Sequence, residues 1–319
     1  MIKPLLKTLS LVLVALVLVA CDRLMSAEDA EKSLRHYSVP DDAGQRPRVS
    51  AFAYFQLGID AAANEKHEEA IEYFDLSLAL DPQYALAYSA RAHAYMDLNK
   101  DDEALADYTK ALELDPRYAW AYLRRGDILQ SRAEYDDAIA DYTKAIEAST
   151  TDDPVELNTQ AYLQRCNAYA AQNKFEEAMA DCKTTIDIDP QNSEAYDLLA
   201  WIYHLQLNYD EAIATSTAAL KIDPQLAGSY YVRGYSHWGK NEIDLALQDF
   251  EKCVRIDPSY YACIFGRGEM HRLRGEKDLA IEDFSHALQF AMSQPELGLV
   301  NDRLQKLGVT PSPIEENKP

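Results

Sequence analysis

The side chains that could do chemistry are few in this 319-residue chain, and most are arranged for packing rather than reaction. No GxSxG turn, phosphate-cradling Walker loop, HExxH helix or CxxC pair occurs. His67-Glu68-Glu69-Ala70 begins as a zinc-binding helix would, but Ile71 stands where the second His is needed. Its acids instead suit the positive end of a helix dipole, as do Asp102-Glu103, Asp136-Asp137 and Glu176-Glu177. No catalytic residue, metal site or cofactor is expected, and the chain reads as a non-enzyme. Five residue pairs stand out by spacing: Arg91 with Asp107, Arg125 with Asp141, Arg165 with Asp181, Arg233 with Asp249, and Arg267 with Asp283, each 16 residues apart. Two comparable places carry Leu57 with Tyr73 and Leu199 with Thr215, so Arg and Asp occur together or not at all. That covariation predicts bidentate structural pairs between neighbouring helices.

The elements that position these pairs recur with a period of 34 residues. Asp-Pro marks stand at 81–82, 115–116, 189–190, 223–224 and 257–258, and the one long interval is two periods plus six. Twenty-eight residues before each Pro is a Tyr (Tyr54, Tyr88, Tyr162, Tyr196, Tyr230), and twelve before it an Ala (Ala70, Ala104, Ala178, Ala212, Ala246). In the first unit Tyr54, Leu57-Gly58 and Ala61 form one helical stripe, Ala70, Phe74 and Ser77 a second, with polar Asn64-Glu65-Lys66 between them. The pattern resembles the tetratricopeptide repeat, a helix–turn–helix unit that buries its apolar face only by stacking. Starts fall at 51, 85, 119, 159, 193, 227 and 261. The third unit lacks its Pro and runs through Ser149 to Pro154; the seventh has Ile264 for the Tyr and Met292 for the Pro. The resemblance implies an all-α, right-handed superhelical solenoid of seven hairpins over 51–294. A helix over 295–308, with Leu297, Val300, Leu304 and Leu307 on one side, is expected to cap it, before a disordered tail over 309–319.

The N-terminus reads as an anchor. Lys3 and Lys7 precede a 13-residue, almost wholly apolar run, Thr8 to Ala20, too short to span a bilayer and suited to a signal peptide over 1–20. It ends Leu18-Val19-Ala20-Cys21, which resembles a bacterial lipobox. The resemblance implies cleavage before Cys21 and acylation of its thiol, so that lipid holds the protein on a membrane facing the periplasm. Asp22 leans toward the inner membrane, with the outer membrane open. Residues 21–50 read as a tether with a short helix over 27–37, broken at Pro40 and Pro47. The net charge of −22 argues against nucleic acid as a partner.

Setting Cys21 aside leaves Cys166, Cys182, Cys253 and Cys263. Cys166 and Cys182 hold the places of Gly58 and Phe74, and Cys253 and Cys263 lie on consecutive helices across the join of the sixth and seventh units. Three pairings are open, with 166–182 and 253–263 favoured; buried free thiols are the alternative. His237 and His271 fall where other units place Ala61, Tyr95 and Tyr203, and read as packing residues.

In the resembled family the first helices line a concave groove that holds a partner's peptide or helix. Carried onto this chain, the groove would contain Phe52, Phe55, Ile59, Leu86, Met96, Trp120 and Leu123, then Trp201, His204, Tyr231, Tyr235, Trp238 and Phe265. Tyr231, Tyr235 and Trp238 form a second apolar stripe beside the packing stripe of Tyr230, Gly234 and His237. The expected function is therefore a lipid-anchored adaptor that recruits a protein or peptide client in an envelope complex, similar in plan to lipoproteins that assist pilus assembly or tether peptidoglycan enzymes. An envelope enzyme or small-ligand receptor is the alternative, with Glu194, Asp197 and Glu269 as its nearby acids.

Overall fold

A computed structural model describes residues 50–150 and 155–310. The signal segment, Cys21, Asp22, the tether with its short helix, and the tail beyond Thr310 lie outside them. The described residues form fifteen α-helices and no strand, in two compact units, one ending at Asp153 and one beginning at Pro154. No helix among them is long and apolar enough to cross a membrane.

The first unit holds three hairpins: α1 (Ala51–Ala63) with α2 (His67–Leu80), α3 (Ala85–Asp97) with α4 (Asp101–Leu114), and α5 (Ala119–Ser131) with α6 (Tyr135–Ala148). The second holds α7 (Val155–Ala171) with α8 (Phe175–Ile188), α9 (Ser193–Leu205) with α10 (Tyr209–Ile222), α11 (Ala227–Gly239) with α12 (Ile243–Ile256), α13 (Tyr261–Leu273) with α14 (Lys277–Ala287), and α15 (Gln294–Lys306). Within each unit, the second helix of one hairpin packs on the first helix of the next.

The hairpins close because one side contributes no bulk. A Cβ on Gly58 would meet the Phe74 ring at 2.4 Å, and Ala70 and Phe74 are fully buried beneath it. In the fourth hairpin the same slot holds a disulfide between Cys166 and Cys182, with Cα atoms 5.6 Å apart. A second disulfide, Cys253 to Cys263, joins α12 to α13. The thiols are therefore paired rather than free.

The Asp-Pro mark has a physical reason. Asp81, Asp115, Asp189, Asp223 and Asp257 each end a helix, and each Oδ1 accepts from the backbone N–H two residues on, at 2.8–3.0 Å. The carboxylate makes the turn that the following Pro enforces. The second helices α2, α4, α6, α8 and α10 have no side-chain N-cap bond, and carry two or three acids in their first turns instead.

Each Arg of the five pairs grips its Asp with two nitrogens; Arg125 donates from Nε and Nη2 to the two Asp141 oxygens, both at 2.7 Å. The guanidinium can also reach the preceding hairpin: Arg125 donates to Thr109 at 3.2 Å, Arg233 to Thr217 at 3.0 Å, and Arg91 to Asp75. The guanidinium thus ties three helices. It lies over the aromatic ring one turn earlier, 5.5 Å from the Tyr88 centroid for Arg91 and 5.4 Å from Tyr162 for Arg165.

Two details differ from the sequence expectation. The fourth hairpin's first helix starts at Val155, one turn before Thr159, whose hydroxyl donates to the Val155 carbonyl at 2.9 Å. His237 and His271 are not simply packing residues. Each Nδ1 sits 2.6 Å from a carboxylate oxygen five residues on, Glu242 and Glu276, and holds that carboxyl below its usual range.

Helix α15 begins at a Ser293–Glu296 capping box and buries Val300 and Leu304. Arg303 reaches back 2.5 Å to Glu269.

Candidate functional site

The first helices of the second unit carry aromatic side chains that touch in sequence. Trp201 and His204 on α9 stack with ring centroids 5.7 Å apart. Trp201 lies 5.8 Å from Tyr231 on α11, and Tyr231 stacks at 5.5 Å on Tyr260, just before α13. Beside Trp201, Tyr231 and Tyr260 opens a pocket of about 480 Å³. Gln164 and Asn167 of α7 also line it, and Glu194 and Asp197 of α9 supply its only charges. Its size falls within the range of roughly 300–1,000 Å³ usual for ligand pockets.

Asp197 is the polar centre. Its Oδ1 accepts from the Ser229 hydroxyl at 2.5 Å. Burial pushes its carboxyl above the usual range, and neighbouring Glu194 adds to the rise; only Ser229 opposes it. No basic residue lines the pocket. Burial likewise pushes the Tyr260 hydroxyl up to about 12, so it stays a neutral donor.

His204 has a definable tautomer. The Ser236 hydroxyl spends its one proton on the Val232 carbonyl at 2.8 Å, so it can only accept from His204 Nδ1, 3.0 Å away. Burial lowers the His204 pKa, which leaves a neutral ring protonated at Nδ1.

Other groove expectations are redistributed. Tyr235 is turned into the join of the sixth and seventh hairpins, with its hydroxyl donating to the Ala262 carbonyl at 3.1 Å and its ring edge-on to Phe250 at 5.0 Å. Trp238 is half-buried against the same cluster, 5.5 Å from Tyr235. Phe265 and Phe55 are not groove residues: each is only 6% exposed. Phe265 packs on Phe284 and Phe55 on Phe74 and Tyr84, so in these two hairpins the place just after the first-helix position is turned inward. Leu123, in the same place, is fully buried. Glu269 is not a groove acid either; it is buried between Arg272 and Arg303, tying α15 down. In the first unit Phe52 is exposed, and Trp120 carries the Arg124 guanidinium 5.5 Å over its ring. Among the described residues no group of three or more His, Cys, Asp or Glu is placed to hold a metal.

Tetratricopeptide repeat family models match residues 51–84, 129–202, 169–231 and 227–260, and a further repeat model of the same type matches 92–131. Together they cover well over half of the chain. It is a tetratricopeptide repeat protein. The irregular seventh hairpin of this tetratricopeptide repeat protein lies beyond the last match. A search of curated proteins finds no match. Among solved structures, PilW, a widely conserved type IV pilus biogenesis factor, is similar at 22% identity and a TM-score of 0.57, over 66% of this chain and 94% of that one. The pilF protein of Pseudomonas aeruginosa gives 18% and 0.58, over 71% and 97%. YrrB, a protein of the same repeat type with an unusual peptide-binding site, gives 22% and 0.50, over 60% and 95%. These likenesses show the fold.

Sequence reasoning named Trp201 and Tyr231 but passed over Tyr260, Gly228 and Ser229. The signal was available in the repeat register. The place one before the first-helix aromatic is Ala in the first five units and Ser229 in the sixth; the place two before it is Phe52, Leu86, Trp120, Gln160 and Glu194, then Gly228.

Proposed function

We propose that this protein is a non-catalytic, lipid-anchored adaptor of the cell envelope that holds a segment of a client protein against the concave wall of its second unit. The observation that carries the reading is the pocket beside Trp201, Tyr231 and Tyr260, where aromatic rings and polar side chains meet on a helical wall. Aromatic anchors of this kind dominate binding energy at protein interfaces. A peptide-binding site in YrrB and a role in pilus biogenesis for PilW, proteins of the same fold, support the same class of function. The lipid anchor rests on Cys21 at the end of the apolar run, and acyl-probe labelling that persists in Cys21→Ala would refute it.

Client capture by in-cell crosslinking from the α9 face tests the docking site. Trp201→Ala should lower recovery at least tenfold, since about 1.4 kcal/mol is one decade in affinity. Helical content should not change, because Ala195, Leu199 and Ile202, the buried face of α9, are untouched. Undiminished recovery would move the docking site away from this wall.

A further inference from the structure

The pocket holds a feature that hairpin stacking does not require. One place after the first-helix aromatic, the units carry Phe55, Ser89, Leu123, Leu163, Asp197, Tyr231 and Phe265. Five of these are buried, and none but Asp197 bears a charge. The fifth unit alone puts a carboxylate there, and the next hairpin is altered to receive it. Ser229, where five units have Ala, gives Asp197 Oδ1 its hydrogen bond. Gly228 leaves the space above it: a Cβ there would stand 2.8 Å from Asp197 Oδ2. The second oxygen therefore lies under a backbone cleared of side chain, at the edge of the pocket.

We infer that Asp197 and Glu194, facing Trp201, Tyr231 and Tyr260, form a subsite for a basic side chain, arginine or lysine, carried by the client peptide. The inference rests on the docking role proposed above and names the chemistry of what docks. Charge complementarity selects the occupant. The pocket is lined by two carboxylates and no cation, and among the described residues only the Ser229 hydroxyl offsets the Asp197 charge. A half-buried carboxylate without a counter-ion is unfavourable, and its raised pKa records that cost. An arriving guanidinium or ammonium would relieve it through a charge-assisted hydrogen bond to Oδ2. The neighbouring rings present faces on which a cation is attracted by the ring quadrupole. At about 480 Å³ the pocket has room for such a side chain together with flanking backbone.

The test uses the full chain and three capped, otherwise all-alanine pentapeptides with arginine, citrulline or glutamate at the centre, followed through the indole N–H resonance of Trp201. Citrulline keeps the size and planarity of arginine without its charge. The arginine peptide should shift the Trp201 signal saturably, with the citrulline peptide at least tenfold weaker and the glutamate peptide silent. In Asp197→Asn the arginine peptide should lose at least tenfold in affinity. The variant should be as stable as the parent or more so, because an Asn carbonyl still accepts from Ser229 while the uncompensated charge is gone. A structural role for Asp197 predicts the reverse, lower stability with peptide affinity unchanged, and would overturn the inference. Equal binding of arginine and citrulline peptides, or no saturable shift with arginine at millimolar concentration, would overturn it too. Spermidine binding as tightly as the arginine peptide would replace the peptide side chain by a free polyamine. Failure of the peptides while Trp201→Ala still abolishes client capture would sink the basic subsite and leave the adaptor standing.

Discussion

Arg125 donates to both oxygens of Asp141 inside its own hairpin and to Thr109 in the hairpin before it, so one side chain serves two kinds of interface. Asp141 is only 7% exposed at the side chain, which keeps the pair out of the regime where salt bridges contribute almost nothing. A double-mutant cycle of Arg125→Met and Asp141→Asn should give a coupling of roughly 0.5–3 kcal/mol in urea unfolding. Simple additivity would show that the two side chains stabilise the fold independently. A second residue-scale expectation concerns His204, whose pKa burial depresses. Below the ordinary value of 6.5 the unfolded chain takes up a proton before the folded one does. The folded state is thus penalised as pH falls, and stability rises with pH through the window just under 6.5. Measured between about pH 5 and 7, the slope of unfolding free energy should be shallower in His204→Gln than in the parent. An unchanged slope would assign the pH dependence to other groups.

Every hairpin turns through a residue with positive φ: Glu65, Asn99, Ala133, Asn173, Leu207, Asn241 and Gly275, at φ between 56° and 77°. Asn and Gly accept that conformation readily; Leu207 does not, and it is 67% exposed besides. Leu207→Asn should raise stability by about 1 kcal/mol, read as a higher urea midpoint with an unchanged slope. No gain would mean that Leu207 makes a compensating contact in the folded state. This position shows how the elements could be read from the chain. The period locates each turn because small residues and acids recur in fixed register, and the Asp-Pro marks announce helix ends through the local geometry of a carboxylate and a pyrrolidine ring. What the period does not carry is direction at each place. Phe55 and Phe265 were expected in a groove because the resembled family places groove residues one after the first-helix aromatic; here both are buried against rings of their own and neighbouring hairpins instead. Trp201 and Tyr231 were legible as excess aromatic surface. The Asp197–Ser229–Gly228 arrangement was not, since its meaning depends on which backbone lies opposite the carboxylate, and only the stacking of consecutive hairpins supplies that. The extra turn at Val155 was missed for a related reason: Tyr162 marks where a helix packs, not where it starts.

At the scale of the whole molecule, the two disulfides are confined to the second unit, while the first closes all three hairpins with small residues against aromatic rings. The two units should therefore respond differently to reductant. Removing a cross-link over a loop of 16 residues costs about 3 kcal/mol in the chain-entropy account. Hydrogen exchange after reduction should accelerate within residues 155–310 and stay as before within 50–150. Uniform loss of protection would show that the units unfold together. The same cross-links bear on how the protein behaves when tension reaches it, as the proposed anchoring and client binding would require. Once the helices yield, the segment between Cys166 and Cys182, and that between Cys253 and Cys263, cannot be drawn out. At about 3.4 Å per extended residue, less the span of each cross-link itself, they withhold roughly 50 Å and 30 Å of slack. Pulled from its ends in an optical trap, the oxidised chain should reach its limit short of the reduced chain by the sum of those lengths, so that it acts under load as a shorter tether than its sequence would allow.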